Sequence, residues 1–361
     1  MTLVKRSSRT ALTTPGATPS CRGRRRRSAL ILGVLLLAVP LAAMADLAAG
    51  RALTVVELWQ ALTGGTVDPI ADHLVWQVRL PRVLVALGAG TSLGLAGLIL
   101  QAALRNPLAA PEVTGVTPGA VLGAVAATGL GLADWTSPAA VMIAAVVGGC
   151  GGAGLLWLLT GRARSDPAAT AVQGVLVSAV LGGLTAVLLL VVPSELGSFV
   201  QWMVGTTEAR TWQHWVLLWP WALGWGLVAC LTSGPLTLLR CGEQVAEAAG
   251  LAPARARGFA LLCAVALTAG AVASVGALGF VGLVVPHAAL ALLGADLRLT
   301  LPGAALTGAV AVAGADAAAQ WLSRVVTAWG ADHVNVPVGA VTTCVGAMVL
   351  LFVARRHAVD P

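Results

Sequence analysis

The sequence predicts an all-α polytopic membrane protein with about ten transmembrane helices. Of its 361 residues, 58% are hydrophobic and only 10% are charged, and the apolar residues are gathered in long uncharged runs. A soluble domain needs far more polar surface than this composition supplies. Runs of about 20 apolar residues also match the length that a helix needs to cross a hydrocarbon core of about 30 Å.

The first apolar run, residues 28–45, follows a basic N-terminal segment. Residues 1–27 are expected to be a disordered cytoplasmic tail. Ala43-Met44-Ala45 is similar to a signal-peptide cleavage site, so the run could be removed or retained. We favour a retained first span, because the run approaches the spanning length and the segment before it is long for a signal peptide.

The second run, residues 80–104, carries a stripe of small residues. Gly90, Gly94, Gly97 and Gln101 recur at steps of three or four and therefore share one helix face. Small residues on a membrane helix let a second backbone approach closely. The stripe therefore predicts close packing against another helix.

Both ends of this run are polar. Arg79 and Arg82 stand at its expected start, and Asn106, Pro107 and Pro111 follow its end. The prolines are expected to break the helix, because proline has no backbone N–H. Backbone groups freed at membrane depth must be satisfied inside protein or beside water, so we expect a structural turn here.

Eight further apolar runs follow, which makes ten spans in all. They lie at residues 117–133, 138–160, 169–193, 213–232, 258–278, 279–295, 301–322 and 337–354. Two connecting segments are too polar to span but partly apolar. A short interfacial helix is expected within residues 50–78, and a short outer helix within residues 193–212.

The basic residues predict the orientation. If the N-terminus is inside and ten spans alternate, 17 of the 22 Lys and Arg residues lie inside and 5 lie outside, at positions 51, 79, 82, 210 and 324. Without the eight in the tail, the ratio is still 9 to 5. Because cytoplasmic loops carry the excess of Lys and Arg, both termini are expected in the cytoplasm. Membrane topology thus explains the net charge of +7 without a nucleic-acid partner.

Residues 233–257 form the longest polar segment between spans on the predicted inner side. Glu243 and Glu247 lie one turn apart there, Gly250 can end a helix, and Pro253 follows. The pattern predicts a short amphipathic helix displayed to the cytoplasm.

Composition and spacing exclude several kinds of site. Lys5 is the single lysine, which excludes a Walker A loop, a Schiff-base lysine and a Ser-x-x-Lys pair. The six cysteines have no C-x-x-C spacing and are interpreted as reduced packing residues. His287 has no second ligand at metal-binding spacing, so no metal or cofactor is expected. Asp316 is the most deeply placed acid and should have a polar partner.

Several sequence strings together resemble one family. They are RLPR at 79–82, RNPLA at 105–109, GVTPGA at 115–120, WMVG at 202–205, GEQVA at 242–246, GFVGLVVPH at 279–287, GADLR at 294–298 and PVG at 337–339. Over residues 70–356 the chain is similar to the iron-siderophore and cobalamin permeases, the FecCD-like membrane subunits of type II ABC importers. The motif residues that carry this resemblance include Gln101, Asn106, Pro107, Pro111, Gly282, Pro286, His287 and Asp316.

The resemblance implies a single permease domain, residues 28–356, followed by a cytoplasmic tail at 357–361. Spans two to five and seven to ten would be inverted repeats. The chain would not be an enzyme. It would act in the bacterial cytoplasmic membrane with a second permease subunit, identical or different, two cytoplasmic ATPase subunits and an external substrate-binding protein.

The resemblance also implies two contact sites. Arg79 and Arg82 match arginines that receive carboxylates of the binding protein; the family's third arginine corresponds to Gln320, and Arg324, one turn later, could replace it. The ATPase would bind a coupling segment. Its matching residues are Gly242, Glu243, Ala246, Glu247, Gly250 and Leu251.

The implied cargo is a ferric siderophore or a related iron chelate, with cobalamin and haem as alternatives on the same scaffold. An ion-coupled secondary transporter is an alternative of another class. It would require paired intramembrane acids or a His-acid relay, and the predicted spans offer almost only Asp316. A membrane enzyme is less compatible with five scattered histidines and no pairing of a nucleophile with a base.

Overall fold

The computed structural model describes residues 21–50, 53–64, 68–134, 136–160, 167–191, 202–329 and 335–359. All regular secondary structure in these ranges is helical. The elements are α1 (Cys21–Ala49), α2 (Val55–Thr63), α3 (Pro69–His73), α4 (Leu80–Leu104), α5 (Val116–Gly129), α6 (Pro138–Thr160), α7 (Pro167–Val191), α8 (Trp212–Leu231), α9 (Ser233–Cys241), α10 (Glu243–Ala248), α11 (Pro253–Val275), α12 (Val281–Leu293), α13 (Leu297–Ala328) and α14 (Val338–Val359).

Each of the ten predicted spans corresponds to one of these helices. Seven described helices are long and apolar enough to cross a membrane, namely α1, the continuous helix through α4, α6, α7, α8, α11 and α13. Three shorter apolar helices, α5, α12 and the first 15 residues of α14, account for the remaining runs. The helices confirm the predicted fold class.

The second span begins earlier than the sequence predicted. A π-helical turn, Leu74–Arg79, joins α3 to α4, so one continuous helix extends over 36 residues from Pro69 to Leu104. Leu80 N–H bonds to Val75 O at the end of this turn, just before Pro81. Such a turn is a common way to absorb an irregularity in a long helix. Arg79 and Arg82 therefore lie within the helix and not at its entrance.

Helix α4 is the centre of the bundle. It packs against α8, α11, α12 and α13, and α1 contacts α13 at the periphery. In the most apolar stretch of the helix through α4, 78% of the residues are buried, as in α11, compared with 6% in α1. Helix α1 is thus the element most open to lipid among these spans.

The glycine stripe of α4 packs as predicted. A methyl group built on Gly90 would overlap the carbonyl of Gly308, and one on Gly97 would overlap the carbonyl of Gly282. At Gly94 it would lie 2.5 Å from the carbonyl oxygen of Ala304. The absence of side chains on this face therefore sets how closely α12 and α13 approach α4.

Other boundaries differ from the prediction. Helix α1 begins at Cys21, so the last seven residues of the predicted tail are helical, and residues 1–20 lie outside the described ranges. Helix α14 continues to Val359 through most of the predicted C-terminal tail. Helix α2 confirms the helix predicted within residues 50–78, whereas residues 193–201 of the segment 193–212 lie outside the described ranges.

Candidate functional site

The bundle has two polar ends, separated by the length of α4, which at 25 residues is about 37 Å long. The Arg82 end holds Arg82, Asp316 and their neighbours. The Glu243 end holds the break after α4 together with Glu243 and Arg257. The predicted site residues fall at these two ends and along the α4–α12 contact between them.

At the Arg82 end, Asp316 is fully buried and bound by three donors. Arg82 forms a bidentate pair with it, through Nε to Oδ2 at 2.8 Å and Nη2 to Oδ1 at 2.6 Å. Thr207 Oγ1 donates to Asp316 Oδ1 at 2.7 Å. The partner expected for Asp316 is thus Arg82, 234 residues earlier in the chain.

A second carboxylate belongs to the same cluster. Asp46, near the end of α1, is 1% exposed, and its Oδ1 accepts a hydrogen bond from Gln320 Nε2 at 2.6 Å. Its carboxyl group also interacts with Asp316 and Arg82. Gln320 therefore binds α1 to α13.

Arg79 and Arg324 contact the last carbonyl groups of α1. Arg79 Nη1 donates to Leu47 O at 2.7 Å, and Arg324 Nη2 donates to the carbonyl of Gly50. The final carbonyls of a helix have no partner within the helix and attract cations. Arg79 is only 7% exposed. Both guanidinium groups already hold acceptors within the chain, and their role in docking remains a prediction.

A polar cavity of about 140 Å³ opens beside this cluster. Its wall includes Arg82, Glu208, Gln320 and Asn335. Asn335 Nδ2 donates to Glu208 Oε1 at 2.7 Å. Hydrogen-bond donors and acceptors both line this cavity, so it can receive a polar group from outside the chain.

At the other end of α4, the predicted break is present and internally bonded. Arg105 adopts the left-handed conformation, with φ of 51°, immediately after the helix. Asn106 Oδ1 accepts from Leu108 N–H at 2.9 Å, and Asn106 O accepts from Ala109 N–H at 3.1 Å. Pro111 O accepts from Thr117 N–H at 3.0 Å. The freed backbone is thus satisfied inside the protein, as a structural turn requires.

The break packs against α12. The ring of Pro111 lies over Gly282, where a methyl group would be 2.5 Å from Pro111 Cδ. Gln101 Nε2 donates to Leu283 O at 3.4 Å. His287 Nδ1 is 2.7 Å from the same oxygen, and since a carbonyl only accepts, Nδ1 carries the proton. Pro286 lies inside the helix between them. The motif residues from Gln101 to His287 therefore form one packed contact.

Glu112 strengthens this contact. Its carboxylate Oε1 accepts a hydrogen bond from Phe280 N–H at 2.8 Å, at the start of α12. Its carbonyl oxygen accepts from Ser178 Oγ of α7 at 2.9 Å, and Ser178 Oγ accepts from Gly115 N–H at 3.1 Å. One residue thus connects the break to helices on two sides.

At the Glu243 end, the predicted amphipathic helix is α10. It ends as the sequence predicted, because Gly250 has φ of 79° and its N–H donates to Glu247 O at 2.9 Å. Leu251 N–H bonds to Ala246 O at 2.9 Å, which completes a Schellman motif. Ala246 is buried and Glu247 is exposed. The helix therefore has one face toward the bundle and one face free.

Glu243, the first residue of α10, is paired with Arg257 of α11. The distance from Arg257 Nη2 to Glu243 Oε1 is 2.6 Å. The hydrogen bond from Arg257 lowers the pKa of the Glu243 carboxyl. Gly242, which precedes it, has φ of 117° and lies near the guanidinium of Arg105. The pair attaches α10 to the bundle.

Sequence reasoning missed four features. Three are the side chains of Asp46, Glu112 and Arg257, and the fourth is helix α9. Asp46 and Glu112 are acids beside apolar runs, which is a signal that could have marked them as buried. Arg257 was counted only as a topology signal. Among the described residues, no group of three or more His, Cys, Asp or Glu side chains is placed to hold a metal ion.

Comparison with known proteins places this arrangement in context. A model of the FecCD transport family matches residues 34–356. The Fe(3+)-citrate import system permease protein YfmE of Bacillus subtilis (strain 168) is 30% identical over 336 residues, which cover 92% of this chain and 98% of that protein. The cobalamin import system permease protein BtuC of Halobacterium salinarum is 32% identical over 313 residues, 83% of this chain and 80% of that protein.

A solved structure is similar over almost the whole chain. It is an inward-facing conformation of an ABC transporter assigned to the metal-chelate type. It shares 28% sequence identity with a TM-score of 0.76, and the match covers 91% of this chain and 99% of the other. Both comparisons therefore match proteins of ABC transport systems.

Proposed function

Because the chain belongs to the FecCD transport family, we propose that it is the membrane-spanning permease subunit of an ATP-driven importer for a ferric siderophore or a related iron chelate. A second permease subunit, identical or different, would complete the pathway. Two cytoplasmic ATPase subunits would hydrolyse ATP, and an external binding protein would deliver the chelate. The contact that the motif residues form between α4 and α12 would then hold the helices of the subunit in place.

We place the Arg82 end outside and the Glu243 end in the cytoplasm. The distribution of Lys and Arg in the short loops supports this orientation, which puts both termini inside. The single observation that carries the proposal is α10, a short helix at the end of the bundle whose outer face, including Glu247, is exposed. Gly242, Glu243, Ala246, Glu247, Gly250 and Leu251 would form the surface that the ATPase contacts.

Copurification tests this assignment most directly. We expect the tagged chain, extracted in mild detergent, to carry an ATPase subunit whose hydrolysis is inhibited by vanadate. A chain that transports the chelate while no ATPase accompanies it, and whose transport stops when the ion gradients are collapsed, would contradict the proposal.

The ion-coupled alternative gains one observation, since Asp46 lies beside Asp316 and thus forms the paired acids that it requires. The contacts of Asp316 argue for a structural role instead, because two donors of Arg82 and the hydroxyl group of Thr207 hold its carboxylate. The copurification experiment separates the two mechanisms.

The cargo can be identified by uptake in a strain that lacks the chain. We expect restored uptake of 55Fe supplied as ferric citrate or as a hydroxamate siderophore. The iron-citrate relative supports this choice, and the cobalamin relative makes cyanocobalamin a necessary member of the panel, with haemin as a third. Restored uptake of cyanocobalamin alone would redirect the proposal to cobalamin.

The end of α10 provides a matched pair of variants. Gly250→Pro is expected to abolish uptake while the protein remains in the membrane, because proline cannot adopt φ of 79° and has no N–H for Glu247 O. Gly250→Asn is expected to retain uptake, since asparagine tolerates the left-handed conformation. Uptake assays normalised to membrane abundance measure both. Equal uptake by the two variants would remove α10 from the coupling surface.

Docking of the binding protein is proposed at the Arg82 end, through Arg79, Arg82 and Arg324. Arg82 lines the polar cavity, and Arg324 is partly exposed. Arg324→Gln is expected to weaken docking more at low salt than at high salt, because salt screens exposed charges. Arg298→Gln, an exposed arginine at the opposite end, is the control. Binding of the transporter's own substrate-binding protein in nanodiscs measures the effect, and unchanged affinity at low salt would exclude Arg324.

A further inference from the structure

Arg257 lies where three elements of the Glu243 end meet. Its guanidinium contacts α10 through Glu243 and the last turn of α4 through Ala103, while its backbone belongs to the first turns of α11. Its side chain is 15% exposed, compared with 43% for Glu243. The guanidinium thus extends from the interior of the bundle to a surface residue.

The contact with α4 depends on the proline break. In an α-helix the carbonyl of residue 103 would accept the N–H of residue 107, but Pro107 has none. Arg257 Nε donates to Ala103 O instead, at 3.2 Å. The arginine therefore supplies the hydrogen bond that Pro107 cannot donate, and it contacts the last turn of α4 directly before the break.

The contact with α10 holds a weakly attached element. Helix α10 has six residues, of which only Ala246 is buried. Its first residue, Glu243, forms the 2.6 Å ion pair with Arg257. Among the described residues, this pair is the charge-assisted contact between α10 and the rest of the bundle. Movement of α10 would therefore act on Arg257 as well as on the adjoining helices α9 and α11.

We propose that Arg257 is a positioning residue that transmits movement of α10 to the break after α4. This inference rests on the proposed function, in which α10 receives the ATPase. Two N–H groups of one planar guanidinium point to different acceptors, Glu243 and Ala103. A lysine ammonium is a point charge on a flexible stem and cannot hold both acceptors in this geometry. The link therefore requires arginine and not only a positive charge.

Arg257→Lys tests this requirement in the full chain, copurified with its ATPase and reconstituted in liposomes. We expect ATP hydrolysis to continue while uptake of the transported 55Fe chelate per ATP falls about tenfold, within the range of energetic coupling between two sites. Membrane abundance and melting temperature should equal those of the unmodified chain. Arg255→Lys, an exposed arginine in the same turn of α11, is the matched control and should leave the ratio unchanged.

A charge exchange separates the two contacts in a complex that still copurifies with the ATPase, a condition that is checked first because Glu243 also belongs to the proposed ATPase surface. The double variant Glu243→Arg with Arg257→Glu can re-form the ion pair, but glutamate has no donor for Ala103 O, so we expect it to remain uncoupled. Full recovery would show that the α4 contact is dispensable and would overturn the proposal. An unchanged ratio in Arg257→Lys, or a loss limited to abundance or melting temperature, would also overturn it. Failure of the unmodified chain to transport with an ATPase would refute the proposed function itself.

Discussion

The Asp316→Ala variant is expected to lose about 3–5 kcal/mol of folding free energy, the usual cost of removing one partner from a buried ion pair. Asp316 is fully buried, and the side chain of Arg82 is 23% exposed. Truncation would remove the carboxylate that Arg82 binds in a bidentate pair, and with it the acceptor of Thr207 Oγ1. Thermal unfolding in detergent, followed by size-exclusion chromatography, measures the loss.

Two further variants separate the charge from the packing. Asp72 is exposed, so the control variant Asp72→Ala should unfold at the same temperature as the unmodified protein. The double variant Arg82→Met with Asp316→Leu should recover part of the stability, because it removes both charges of the pair while Asp46 keeps its hydrogen bond from Gln320. If Asp316→Ala unfolds at the same temperature as Asp72→Ala, the pair is not a structural element of the Arg82 end.

The spans could be predicted because a membrane imposes its own length scale. Each crossing needs about 20 apolar residues, and each of the ten runs became a helix. The start of the second span was predicted at residue 80, whereas the helix begins at Pro69. Charged and polar residues at 72–79 hide this extension, because the partners that bury Arg79 come from α1. Hydropathy detects the apolar part of a helix, whether lipid or protein covers it, and misses the part whose polar side chains are satisfied by protein partners.

The site was only partly predictable for a related reason. Turn chemistry is local, so the Asn-Pro break and the end of α10 at Gly250 followed from the residues themselves. The partners of the arginines are not local. Arg82 meets Asp316 across 234 positions, and Arg257 meets Ala103 across 154. No spacing rule connects such pairs, so the sequence identified charged residues without indicating which of them the fold neutralises.

A glycine-to-alanine substitution is expected to lower the melting temperature at Gly97, in the contact between α4 and α12, and to leave it equal or slightly higher at Gly224. Gly97→Ala places its methyl group on the carbonyl of Gly282. Both residues at this contact are glycines, so no side chain can rotate away and the two helix backbones must separate. Overpacking of a core typically costs about 1–3 kcal/mol, and a backbone obstacle places this variant at the upper end. Its melting temperature should fall clearly.

Gly224→Ala in α8 is the control, because a methyl group there meets nothing within 4 Å. Alanine at a free helical position gains about 0.4–1 kcal/mol by restricting the unfolded chain, so its melting temperature should stay equal or rise slightly. Gly282 also carries the ring of Pro111, and separation of α4 from α12 at Gly97 would loosen the break as well. Gly97→Ala should therefore reduce chelate uptake more than its loss of abundance explains. If Gly97→Ala melts at the same temperature as Gly224→Ala, α4 and α12 can separate at this point without loss of stability. The contact between the motif residues of α4 and α12 would then not hold the helices of the subunit in place.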